Sequence, residues 1–343
     1  MSAARALVMA LLVSLAACAR QPAPHPRACQ RVQGLPGAED FALDLAHPPP
    51  RLLVSSQERR TRGDDGAPLA GGQIAAVELG DEGLGPARPL ILRNRDTTPF
   101  HPHGIDVWTT ATGETRLFVI NHVNRDTHLI EEFGVLDDAL VFRRRLQHTL
   151  MHSPNDLVVA GDDELYVSND RGLPASLMLV EGALGLPCGN LVHYRQGQWT
   201  VLVEGVAYAN GLEIDVTGEH LYLAAVRENR VREYPRDPGS GALGEMSRHF
   251  DLGSGVDNLL WMDSRTLIAA AHPDMLVFAR HATDAGLRAP SQIFRIDVED
   301  ASVRRLFEDD GHKVSAASTG WVHGGRVIMG QVFDDGVVSC AIP

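Results

Sequence analysis

Four times along this chain a short polar headpiece carrying Asn, Asp or His leads into two apolar runs joined by a turn. The headpieces are Phe100-His101-Pro102-His103-Gly104-Ile105-Asp106, Ser153-Pro154-Asn155-Asp156, Tyr208-Ala209-Asn210-Gly211 and Val256-Asp257-Asn258. Each precedes a pair such as Leu157-Val158-Val159-Ala160 and Leu165-Tyr166-Val167, which reads as a hairpin of short strands. With Asp106, Asp156, Asn210 and Asp257 taken as the repeating positions, the spacings are 50, 54 and 47 residues. That period fits a unit of about four strands, as in a propeller blade. The roughly 310 residues after the leader, divided by about 50, give six blades. The expected fold is therefore all-β, a six-bladed β-propeller over residues 29–343.

Composition agrees with this. A hydrophobic content of 44% over 343 residues is enough for a full core, and only β-period runs recur, with no long segment of 3.6-residue period. The net charge of −13 argues against nucleic acid or an anionic membrane face as partner.

The first residues read as an export leader. Arg5 supplies a positive start, Ala6 to Leu15 is an apolar run too short to span a bilayer comfortably, and small residues follow. The sequence Leu15-Ala16-Ala17-Cys18 resembles a bacterial lipobox, which implies cleavage after residue 17 and lipidation of Cys18. The alternative is an ordinary signal cut near Ala17 or Ala19. Residues 18–28, with Pro22, Pro24 and Pro26, read as a proline-stiffened tether. The expected location is the bacterial cell envelope, with the membrane engaged only through the lipid.

If Cys18 carries lipid, three cysteines remain. A Cys29–Cys340 bond would join the first and last strands of the ring and leave Cys188 as a free thiol. Closing so long a loop is worth about 4–5 kcal/mol in the chain-entropy model.

The headpieces carry the chemistry. Neighbouring residues on an extended backbone point to opposite faces, so Asn155 and Asp156 can each address a different hard cation, and Glu39-Asp40 repeats that arrangement. The charged, Gly-rich segment from Gln57 to Gly72 reads as a solvated surface loop.

Together these pieces are similar to the serum paraoxonase/arylesterase family of calcium-dependent lactonases. The resemblance rests on Cys29, Glu39-Asp40, Phe100 to Ile105, Val119-Ile120-Asn121-His122, Asn155 to Val158, Ala209 to Leu212, Val256-Asp257-Asn258, His272-Pro273, Ser318-Thr319 and Cys340, in that order. It implies two calcium ions in the central tunnel of a six-bladed propeller. The catalytic ion would be held by Glu39, Asn155, Asn210, Asp257 and Asn258, and the structural ion by Asp40, Asp156 and the backbone carbonyl of Ile105. Oxygen donors of this kind suit calcium better than zinc. His103 would activate a water, with His122 assisting.

The activity implied is hydrolysis of small-molecule lactones or aryl esters, with organophosphate triesters as a further class and no protein partner. Two departures stand out: Ala271 replaces a cysteine, and Asp274-Met275 replaces a small polar turn. Two other readings exist. One is a gluconolactonase-like hydrolase with a single divalent metal, and the other is a non-catalytic propeller lipoprotein.

Overall fold

The computed structural model describes residues 29–342, apart from 64–65, 67, 81–82 and 175–176. The leader, the tether and Cys18 lie outside the described residues. Six antiparallel sheets are arranged as the blades of a propeller. Their innermost strands are Ala38–Asp44, Pro102–Thr109, Pro154–Gly161, Ala209–Ile214, Gly255–Trp261 and Ala317–His323, and we number blades 1 to 6 in that order. Ile91–Arg93 adds a fifth, parallel strand to blade 2.

Why the second strand of each blade is so apolar follows from this packing. In blade 2, Leu117 and Val119 face blade 1 beside Leu53 and Ile105. The alternate residues Phe118 and Ile120 face blade 3 beside Leu157 and Val167. A strand buried on both sides needs an unbroken apolar run, which is what the sequence carries. Each such side chain contributes about 1.5–3 kcal/mol on burial. The core is accordingly a set of wedges between neighbouring blades rather than one central mass, and this leaves the axis free for polar groups.

The ring closes on blade 6, where Cys29–Pro36 pairs with Asp335–Ala341 as the outermost strand. Cys29 and Cys340 are register partners and form the disulfide, and Cys188 is free, as expected. Among the described residues no helix is long and apolar enough to cross a membrane. The Asp274-Met275 departure starts a short helix, Met275–His281, whose first turn is capped by the Asp274 carboxylate accepting from Leu276 N and Val277 N.

One detail corrects the repeat. Every inner strand carries a single-residue bulge at its tunnel end. Pro102 pairs with Asn121 but Ile105 with Val119, Pro154 with Asn169 but Leu157 with Val167, and Val256 with Ala271 but Leu259 with Ala269. Blades 1, 4 and 6 show the same slip, at Ala38/Asp40, Ala209/Leu212 and Ala317/Gly320. The bulge therefore aligns His103-Gly104 with Asn155-Asp156, Asn210-Gly211, Asp257-Asn258 and Ser318-Thr319. Asp106, taken as a repeating position from the sequence, sits three residues beyond the equivalent His103. Asp156 likewise sits one residue beyond Asn155, because all six blades share the bulge and strand pairing, not the spacing between acids, sets the equivalent positions.

Candidate metal and hydrolase site

The bulges aim their side chains at the axis, and the close approach of blades there demands small residues. An added Cβ on Gly104 would lie 2.6 Å from the Asn155 carbonyl oxygen, and one on Gly211 2.6 Å from that of Asp257. Those two glycines let the next inner strand approach, at Asn155-Asp156 and at Asp257-Asn258. Asp40 Oδ2 accepts from the Ile105 amide at 2.8 Å, and Asp156 Oδ2 accepts from the Leu212 amide at 2.7 Å. Their other oxygens accept from Phe41 N and Leu157 N. Burial, followed by the charge of Asp156, raises the Asp40 carboxyl well above the usual range, and burial does the same for Asp156. Ile105 thus meets this pair through its N–H.

The second group expected to bind metal also converges. Glu39, Asn155, Asn210, Asp257 and Asn258 are all buried. Asn258 Nδ2 donates to Glu39 Oε1 at 3.2 Å, and Asn210 Nδ2 donates to Asp257 Oδ1 at 2.6 Å. Ser318 Oγ donates to the Glu39 carbonyl at 2.6 Å. The Asn210 and Asn258 amide nitrogens are thereby engaged as donors. Glu39 Oε2 and the Oδ1 atoms of Asn155, Asn210 and Asn258 are buried with no hydrogen-bond partner. An unpaired buried acceptor costs about 1–3 kcal/mol, so four gathered on one ring call for a shared electropositive partner. Acceptor oxygens without a hydrogen bond fit a hard cation such as calcium. Among the described residues no group of three or more Asp, Glu, His or Cys side chains forms a metal cluster, because amides supply most of this ring.

His103 and His122 lie beside it. Their rings meet edge to face with centroids 4.9 Å apart. His103 Nε2 is 3.8 Å from Glu39 Oε1, and its Nδ1 is 3.3 Å from Arg59 Nη2. Burial and the Arg59 charge push the His103 imidazole down to about 3, so it is neutral at pH 7. Burial, followed by the neighbouring His103 and His128, holds His122 well below its ordinary value. Because a guanidinium can only donate, neutral His103 accepts at Nδ1 and carries its proton on Nε2.

Several residues at the site were given no role from the sequence. Arg59, in the segment read as a solvated loop, is buried at the tunnel mouth, where it donates to the carbonyls of Gly37, Gln57 and Pro102 and faces Glu39 at 3.9 Å. Its burial corrects the reading of that segment at this position: a charged run can hold one residue whose guanidinium turns inward. His272 Nε2 bonds Asp257 Oδ2 at 2.7 Å with both groups buried, so the histidine holds that carboxylate in place. Tyr208 adopts φ of 65°, a region costly for a side-chain-bearing residue, immediately before Ala209-Asn210. The unusual φ in the Tyr-Ala-Asn-Gly headpiece had no signature in residue type.

The family model described as Arylesterase matches residues 66–341. Human serum paraoxonase/arylesterase 1 is 26% identical over 325 residues, covering 91% of this chain and 88% of that protein. Human serum paraoxonase/lactonase 3 is 25% identical over 317 residues, covering 90% and 87%. A gluconolactonase of Xanthomonas campestris superposes with a TM-score of 0.55 at 14% identity, covering 92% of this chain and 89% of that one. That likeness is one of fold.

Proposed function

Since this chain belongs to the arylesterase family, we propose that it is a calcium-dependent hydrolase of lactones and aryl esters. The observation that carries the reading is the ring of unpartnered oxygens from Glu39, Asn155, Asn210 and Asn258 beside the His103–His122 pair. Glu39, Asn155, Asn210, Asp257 and Asn258 would hold a catalytic calcium, and Asp40, Asp156 and the Ile105 carbonyl a structural one. A calcium ion bound at the first set would supply Lewis-acid polarisation of an ester carbonyl.

The chain's own residues account for the rest. The His103–His122 pair, kept neutral by burial, takes the proton of an attacking water. Arg59 anchors the His103 ring through Nδ1, and His272 fixes Asp257. Tyr208, on its constrained backbone, borders the mouth. The relatives' printed names, arylesterase and lactonase, support the substrate class. The disulfide fits the exported, lipid-anchored location read from the leader, because such bonds persist outside the reducing cytosol.

The test is hydrolysis of a panel of lactones and aryl esters by purified protein, with and without chelator, alongside elemental analysis. Two calcium ions per chain and chelator-sensitive turnover are expected. One ion per chain would favour the single-metal reading, and no turnover on any substrate would favour a binding propeller.

A further inference from the structure

Beyond the paired histidines stands a third. His122 ends the strand Thr115–His122, and His128 opens the next, His128–Val135. The two residues are direct register partners at the mouth of the hairpin. Side chains at such positions lie close enough to interact. Here the rings meet nearly at right angles with centroids 4.8 Å apart, and the two Nδ1 atoms are 2.8 Å apart. A separation that short is a hydrogen bond between nitrogens, so one Nδ1 carries the proton and the other accepts it.

Which one donates follows from the proton the pair has to accept. Arg59 donates to His103 Nδ1, so neutral His103 carries its proton on Nε2 and has no free lone pair, and only His122 can take a proton. That requires His122 Nδ1 to be the donor and His128 Nδ1 the acceptor. His122 Nε2 is then left with its lone pair. His103 is in the opposite state, since Arg59 donates to its Nδ1 and its proton sits on Nε2.

We infer that His128 is a positioning residue that fixes the tautomer of His122, making His122 Nε2 the nitrogen through which the histidine pair accepts a proton. The choice of donor rests on the hydrolase reading, whereas the contact between the two Nδ1 atoms does not. A partner that orients a histidine through its second nitrogen is a recurring requirement of general-base sites. Nothing in the residue types of the loop Val123 to Thr127 marks His128, because only pairing across the hairpin brings it to His122.

The experiment combines spectra and kinetics on the calcium-supplemented full chain. Histidine ¹⁵N spectra, assigned by comparison with His122→Gln, are expected to show His122 protonated at Nδ1 and not at Nε2. His128→Phe keeps a ring of similar size but removes the acceptor. It should lose that fixed tautomer and lower kcat on lactones by at least about 10-fold with KM changed little. His128→Asn, whose Oδ1 can stand where Nδ1 stood, should restore both. A wild-type His122 protonated at Nε2, or a His128→Phe protein with unchanged tautomer and kcat, overturns the inference. Should His128→Phe fail to fold, the wild-type spectrum and the His128→Asn protein decide. If the protein hydrolyses nothing, the hydrolase reading fails while the spectra still decide the role of His128.

Discussion

Two oxygen sets share the tunnel, and they differ in how their oxygens are used. In the deeper pair, each oxygen of Asp40 and Asp156 accepts a backbone N–H. In the other set, by contrast, four oxygens, from Glu39, Asn155, Asn210 and Asn258, meet no hydrogen-bond donor, while both Asp257 oxygens are bonded to the Asn210 and His272 side chains. The first set is held in place by the fold before any ion arrives. The second is left with open valences at the tunnel mouth, next to the histidines. Pre-satisfied ligands suit a structural role, whereas open ones suit an ion that must also meet a substrate oxygen.

The sharpest way to break this contrast is to remove one carboxylate from each set. Asp257→Ala should reduce lactone and aryl ester hydrolysis by at least about 10³-fold on every substrate, since it withdraws charge from the ion placed at the reacting centre. Initial rates at saturating calcium measure this, and near-normal turnover would break the assignment. Asp156→Ala should instead lower stability by about 3 kcal/mol in calcium, from two lost charge-assisted hydrogen bonds, while protein that remains folded and loaded keeps most of its turnover. Thermal melts alongside kcat measure the two effects separately.

The comparison is sharpened by pH. The folded-state values of Asp40 and Asp156 are raised by burial. Protonation therefore stabilises the metal-free fold at low pH, and that contribution is lost as pH rises through the raised values. The fall in Tm on adding chelator should accordingly be larger at pH 8 than at pH 5. An equal fall at both would mean that these carboxylates are not the groups an ion neutralises.

The smallest effect on the site comes from the far side of the molecule. Replacing both Cys29 and Cys340 by Ser should cost about 2–5 kcal/mol of stability, read by denaturant unfolding, with kcat unchanged. A loss of turnover at full folding would show that ring closure shapes the mouth.

How much of this was legible depended on the kind of signal. The double-sided apolar runs, such as Leu117 to Ile120, declared blade strands because both faces of such a strand are buried. The Asn, Asp and Glu headpieces could be read as ion ligands because their donor chemistry is written in residue type. Asp106 was misaligned with Asp156 because the two were matched by residue type and spacing, whereas strand pairing puts His103-Gly104 at the place of Asn155-Asp156. Arg59 and His128 escaped for a related reason: nothing local distinguishes an inward arginine or a third histidine from their solvated counterparts.

By itself the sequence determined the blade count and the disulfide pairing, because periodicity and cysteine position are properties of residues in order, while the expected set of oxygen donors came from the family resemblance. Tertiary structure alone decided which oxygens remain unpartnered, which glycines must be glycine and which imidazoles meet. Those outcomes depend on approaches of 2.6–2.8 Å between residues about 50 apart or across a strand pair. Such distances are set by how the blades close around the axis and are not encoded at any single position.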